Sequence, residues 1–462
     1  MLQDFFVSSI PKKAVSIIPI ITKNFAYWLK RQDLIIKNWV SANKFTAKSG
    51  TICFLPDVQG NIYSVLLGIS DENDFWAFGA LPIRLPEGIY QINSNFNTKQ
   101  LERAIIAWSF GCYKFGVYTK NNGEIKAKLF IPDSCDRLHI ENIITSIFLV
   151  RDLINYPAED MTPAKLGEKT VTIAKLFNAR VSQIIGNDLL KKGFNAIHAV
   201  GRGSSNEPQL IDLRWGNAKN PQITLVGKGV CFDSGGLDLK VPANMQIMKK
   251  DMAGAAHALG LAMMIMSAKL RVNLRVLIPA VENMPANNAY KPGDILRTYK
   301  GTTIEVVDTD AEGRIILADA LALACEEQPE LLIDFASLTG AARVAVGTDI
   351  AAMFTNENSL ATEIMALAIE EQDPIWQLPL YAPYKEMLDS DIADISNLAK
   401  SSYGSPITAA LFLQEFVTSN IPWLHFDIMG FNLVAKYGRP KGGEAQSLRA
   451  VFSYLRKHYA KS

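Results

Sequence analysis

Several features that would place a sequence quickly are missing here. The five cysteines, Cys53, Cys112, Cys135, Cys231 and Cys325, are scattered and form no CxxC pair. That excludes a disulfide framework and a thiolate zinc site, and it fits a reducing compartment. Net charge is nearly absent, with 47 basic residues against 46 acidic ones, so nothing points to nucleic acid or an anionic membrane as the main partner. None of the histidines at 139, 198, 257, 425 and 458 sits in a ligand-spaced pair, so an HExxH zinc site is absent, and His257 reads as a packed helix residue. No apolar run approaches the roughly 20 residues that span a bilayer. Residues 1–6 carry an acid early and lack a basic segment leading into an apolar core, so no secretory signal is expected. Internal repeats and low-complexity segments are also lacking. These absences predict a cytoplasmic globular protein.

What is present is length and apolar residues. At 462 residues, 48% of them hydrophobic, the chain exceeds what one core usually serves, so two domains are expected. Residues 1–140 mix β-like runs at 14–18 and 64–69 with one helical segment, 98–113, and read as an α/β scaffold, access or assembly domain. A connector helix is expected within 141–160. Thr162-Pro163 then places a capping side chain before a proline and starts a helix reaching about Phe177. Beyond it, β-like runs at 181–185, 196–200, 210–213, 223–226, 274–278 and 331–335 alternate with helical patterns. The fold class expected is therefore α/β with two domains: a smaller N-terminal α/β domain, and a C-terminal catalytic domain (161–462) with a largely parallel, helix-covered sheet. Ligand loops belong at the carboxyl ends of its strands.

Two such loops stand out. Gly227-Lys228-Gly229-Val230-Cys231-Phe232-Asp233-Ser234-Gly235-Gly236 follows an apolar run, and its glycines allow close backbone approach to a ligand while Lys228 and Asp233 supply charge. Asp308-Thr309-Asp310-Ala311-Glu312-Gly313-Arg314 crowds like charges before a helix so apolar that it must be buried nearly all round. Capping and helix-dipole complementation are the plainer explanation for those acids. Asp308, Asp310 and Glu312 in five residues nevertheless cost energy unless cations compensate. With Asp233 and Asp251 on the same rim, the set becomes the oxygen-rich composition of a two-metal hydrolytic site. Gly201-Arg202-Gly203-Ser204-Ser205-Asn206, by contrast, lacks a full dinucleotide or P-loop fingerprint and reads as an ordinary turn.

These segments resemble the M17 leucyl aminopeptidase (cytosol aminopeptidase) family. Residues 225–236 match its VGKG…FDSGG stretch, 248–256 its metal-binding helix start and 308–314 its NTDAEGR signature. Further matches at 337–341, 407–413 and 423–428 extend the likeness over most of 150–440. The resemblance implies that Lys228, Asp233, Asp251 and Glu312 hold one divalent metal and that Asp233, Asp310 and Glu312 hold the other. Manganese or zinc is expected, with magnesium and cobalt as further candidates. It implies that Lys240 polarises the scissile carbonyl and stabilises the oxyanion, and that Arg314 holds a bicarbonate ion acting as general base. Met248, Ser337 and Gly340 are implied to line the pocket for the substrate's first side chain, with apolar residues such as leucine preferred. The expected substrates are short peptides with a free N-terminus, and the expected assembly is a homohexamer.

Two positions depart from the pattern. Asp308 stands where the family has Asn, which bears on metal preference and pH optimum, and Ser337 stands where Thr is common. For Lys228 the plainer alternative to ligation is a salt bridge to the carboxylates. At the level of function, the competing classes are a two-metal phosphoesterase and a binding protein built on the same scaffold.

Overall fold

The computed structural model describes residues 5–9, 13–119 and 125–460. The chain forms two compact units, one of residues 1–148 with 433–441 and one of 149–432 with 442–462. No helix among the described residues is long and apolar enough to cross a membrane. The fold is mixed α/β in both units, with largely parallel sheets.

The first unit carries a six-stranded sheet in the order Phe6–Val7, Ala127–Phe130, Gly88–Ile92, Val15–Ile21, Ile62–Ile69 and Ile52–Pro56. All its pairings are parallel except the last. The helix Thr98–Cys112 starts at a capping box in which Asn97 and Gln100 satisfy each other's backbone donors, and it buries Ile105, Ile106, Trp108 and Phe110. Two helices not anticipated from the sequence, Phe25–Lys30 and Leu34–Ala42, join this unit. Their Phe25, Trp28, Leu29 and Ile36 pack on the cluster around Val40, Phe45 and Leu66.

The second unit is built on a nine-stranded sheet. Its order is Ile375–Gln377, Ala351–Thr355, Trp423–Asp427, Leu331–Ala336, Gln222–Gly227, Asn273–Asn283, Gln209–Gly216 and Arg180–Ile185, with Gly229–Asp233 pairing beside the far half of Asn273–Asn283. The central pairings are parallel, and antiparallel strands lie toward both edges. Strands buried on both faces read as nearly continuous apolar runs, and every residue of Leu331–Ala336 is buried, including Asp334, which is met by Trp423 Nε1 at 2.7 Å and His425 Nδ1 at 2.6 Å. The helices Ala253–Ser267 and Glu312–Cys325 cover the sheet and are themselves almost wholly buried. Thr162 caps the helix Pro163–Leu176 with proline at its first position, as expected.

Three readings are corrected. Residues 196–200 alternate like a strand but lie in the helix Asn195–Gly201, whose first amides are capped by Asp319 Oδ2 at 3.0 and 3.2 Å. Gly229–Asp233 is a strand rather than a continuous loop, because Val230 and Cys231 are fully buried against Asn273–Asn283. Residues 308–314 follow a small three-stranded sheet, Ile295–Arg297, Thr303–Glu305 and Ile395–Ser396, and not a strand of the main sheet.

Candidate active site

The candidate residues leave the carboxyl ends of adjacent parallel strands. Lys228 follows Gln222–Gly227, Asp233 ends Gly229–Asp233, and Ser337 follows Leu331–Ala336. Lys228 is fixed through its own backbone, its amide donating to Phe335 O at 3.0 Å and its carbonyl accepting from Ala255 N at 2.8 Å. Those bonds require the helix start to touch the strand ends. A Cβ on Gly254 would lie 2.1 Å from Phe335 O, so glycine is needed there. Asp251 sits on the 3-10 turn Met248–Met252 that leads into Ala253–Ser267, and Glu312 is the first residue of the helix that follows the acidic loop. Both carboxylates thus lie at helix amino ends, where the peptide dipoles favour negative charge.

The side chains converge. Lys228 Nζ is 2.8 Å from both Asp251 Oδ2 and Glu312 Oε1, and Lys240 Nζ pairs with Asp233 Oδ2 at 2.8 Å and with Asp310 Oδ1. Asp233, Asp310 and Glu312 each offer an oxygen, all within 4.8 Å of one another. Gly313 makes room for Lys228, since a Cβ there would come within 2.5 Å of Lys228 Cε. Ser337 Oγ donates to Asp251 Oδ1 at 2.6 Å. Arg314 is buried on the same helix, donates from Nη1 to Asn397 O at 2.7 Å, and keeps a buried Nε with no hydrogen-bond partner. Met248 lies on the turn that carries Asp251, and Gly340 is exposed at the start of Gly340–Val346. Neither makes a hydrogen bond to the carboxylates among the described residues.

Electrostatics set the carboxylates apart. Burial, reinforced by the charge of Asp233, raises Glu312 well above the usual carboxylate range and Asp310 to about 7. Burial works the same way on Asp251, but Lys228 and Lys250 outweigh it and hold it at about 2. Burial also opposes the charge of Lys228 and Lys240, yet the surrounding carboxylates keep both ammonium groups above their usual range. In the fully buried Glu312, Oε1 meets only Lys228 Nζ and Oε2 has no partner among the described residues. A buried carboxylate left so is costly. Asp251 Oδ2 and Asp310 Oδ1 are likewise met only by the Lys228 and Lys240 ammonium groups among the described residues. With Asp233, the carboxylates of Asp251, Asp310 and Glu312 form a hard-oxygen donor set that fits divalent cations.

Lys228 therefore makes the salt bridges named as its alternative role. An amine held as ammonium by two carboxylates ligates only after losing its proton, which a nearby cation favours. His257 is a packed residue: its Nδ1 lies 2.7 Å from Ala253 O, and Nε2 accepts from Gln446 N at 2.9 Å.

Sequence reasoning missed the residues that shape the acidic loop. Asn397 Oδ1 accepts from Val307 N at 2.7 Å and Asn397 Nδ2 donates to Asp308 O at 2.6 Å. Asn283 Nδ2 donates to both Asp233 Oδ1 and Thr309 O, and Tyr290 OH donates to Thr309 O at 2.5 Å. Their partners are mostly backbone groups far away in sequence, so no local spacing marks them.

Comparison with known proteins gives a consistent result. The model of the cytosol aminopeptidase family (peptidase M17) catalytic domain matches residues 148–452, and that of the M17 aminopeptidase N-terminal domain matches 15–132. A probable cytosol aminopeptidase of Rickettsia canadensis is 37% identical over 466 residues, covering 93% of this chain and 92% of the relative. One from Roseiflexus castenholzii is 42% identical over 319 residues, covering 68% of this chain and 65% of the relative. The crystal structure of cytosol aminopeptidase from Coxiella burnetii has a TM-score of 0.95 at 48% identity and covers 98% of this chain and 99% of that one. The bottromycin maturation enzyme BotP in complex with Mn has a TM-score of 0.87 at 28% identity, covering 96% and 99%.

Proposed function

The chain belongs to the cytosol aminopeptidase (M17) family, and from that premise we propose that it is a two-metal aminopeptidase removing the first residue of short peptides. Lys228, Asp233, Asp251, Asp310 and Glu312 would hold the two divalent cations, with manganese or zinc as the main candidates. When bound, the cations would supply a water of lowered pKa and Lewis-acid stabilisation of developing negative charge. The observation that carries this reading is the meeting of Asp233, Asp310 and Glu312 oxygens within 4.8 Å, with Glu312 Oε2 buried and without a partner among the described residues.

The chain's own groups then have distinct tasks. Lys240 stays an ammonium at neutral pH because the carboxylates around it outweigh burial, so it can donate to the carbonyl oxygen as charge develops there. Arg314 is lowered by burial only to about 10, so it remains a cation, and its free Nε supports a bound anion such as bicarbonate as general base. Met248, Ser337 and Gly340 would line the first side-chain pocket, with apolar residues such as leucine preferred. Residues 1–140 would serve access or assembly in a homohexamer, 141–160 would connect, 161–462 would carry catalysis, and the protein would act in the cytoplasm.

Leucine p-nitroanilide hydrolysis by the manganese-loaded enzyme tests this reading. Glu312→Ala and Asp310→Ala should lose metal and reduce turnover at least about a hundredfold, since each removes an oxygen ligand. Full activity in either variant, or a wild type that hydrolyses p-nitrophenyl phosphate and not the anilide, would overturn it.

A further inference from the structure

Two cations beside the site have no anion of their own. Lys250, between Met248 and Asp251, is 2% exposed, and among the described residues its ammonium makes no hydrogen bond or ion pair. Arg343, on Gly340–Val346, has a buried Nη1 without a partner. Its Nη2 lies 3.7 Å from where a Cβ of Gly340 would stand. The segments that carry them are joined by the hydrogen bond from Ser337 Oγ to Asp251 Oδ1 at 2.6 Å; burial lowers Lys250 to about 8, and the Arg343 charge pushes the same way.

The carboxylates close to them are engaged elsewhere. Asp251 pairs with Lys228 at 2.8 Å and accepts from Ser337 Oγ at 2.6 Å. Asp427 accepts from Leu338 N at 2.9 Å, from Thr339 N at 3.1 Å and from Thr339 Oγ1 at 2.6 Å. Burying positive charge without a partner is costly, and a bound anion removes the cost. Met248, Ser337 and Gly340, which flank this pair along the chain, are the residues assigned above to the pocket for the first side chain.

We infer that Lys250 and Arg343 form an anion-accepting end of that pocket, through which the enzyme takes peptides beginning with Glu or Asp in addition to apolar residues. This rests on the aminopeptidase reading and on its pocket assignment. An apolar side chain leaves both cations unpaired, whereas a carboxylate accepts from a guanidinium and an ammonium at once.

The test uses the metal-loaded enzyme with leucine, glutamine and glutamate p-nitroanilides, so that glutamate and glutamine differ only in charge. Wild type should favour glutamate over glutamine in kcat/KM. In Arg343→Gln and Lys250→Met the glutamate-to-glutamine ratio should fall about tenfold, mainly through KM, and Arg343→Lys should restore part of it. A loss shared equally by both substrates is what a structural role produces, and it overturns the inference. Added acetate should inhibit glutamate cleavage selectively; stimulation of glutamine cleavage to the glutamate level would assign the site to a free anion and overturn it too. Cleavage of the leucine and glutamine substrates with no preference for glutamate overturns the inference alone. Failure to cleave any anilide overturns the aminopeptidase reading with it.

Discussion

Asp308 makes a turn that an Asn could also make. Its Oδ1 accepts from Asp310 N at 2.7 Å, a turn that asks only for a carbonyl-type oxygen two residues before the amide, which Asp and Asn both supply. The remaining difference is charge. Asp308 acts on Arg314, whose guanidinium burial lowers to about 10 while Glu312 and Asp308 push the other way. Removing one of several nearby negative charges leaves Arg314 protonated at neutral pH. Asp308→Asn should therefore keep kcat/KM for leucine p-nitroanilide within about threefold, with metal content unchanged, as befits a partly exposed charge. A loss of ten- to a hundredfold would mean that the carboxylate itself takes part in metal binding or catalysis.

At the scale of elements, the acidic loop is held by long-range polar bonds. The Asn397 side chain is fully buried and bridges Val307 N and Asp308 O, while its backbone carbonyl receives Arg314 Nη1. Asn397→Ala leaves the carbonyl in place but orphans a donor and an acceptor, a change worth about 1–3 kcal/mol for each buried group. A lowered melting temperature together with reduced kcat/KM is expected, and an unchanged pair of values would show that the loop is held by other means. Such bonds also mark where sequence reading stopped. The central strands were legible because their apolar runs are nearly continuous, and the helix Pro163–Leu176 because its cap and proline are adjacent to it. The helix Asn195–Gly201 was not, because its amino end is capped by Asp319 from more than a hundred residues away. The strand Gly229–Asp233 was hidden by glycines on either side, and only pairing with Ala280–Asn283 fixes it. The acidic residues of the site could be named from their density, but which oxygens would meet depended on this tertiary wiring.

For the whole molecule, the carboxylates link metal, pH and stability. Asp310, at about 7, and Glu312, well above its ordinary value, bind protons in the folded metal-free protein that the unfolded chain has already released. Between the ordinary carboxylate range and about pH 7 the folded state therefore holds more protons than the unfolded one. Their contribution to stability then falls as pH rises. Asp251 has the opposite shift, to about 2, so it is ionised in both states across this window and adds no slope. Divalent cations require the ionised carboxylates and must displace those protons, so metal binding tightens as pH rises. Metal should thus raise the melting temperature more at pH 8 than at pH 5.5, and the metal-free protein should lose stability over the same interval. Thermal unfolding with EDTA and with manganese at both pH values measures this directly. Calorimetry in two buffers of different ionisation enthalpy should also register proton release on manganese binding near pH 6.5. A metal-induced shift that is equal at both pH values, with no proton release, would mean that Asp310 and Glu312 do not bind the cation.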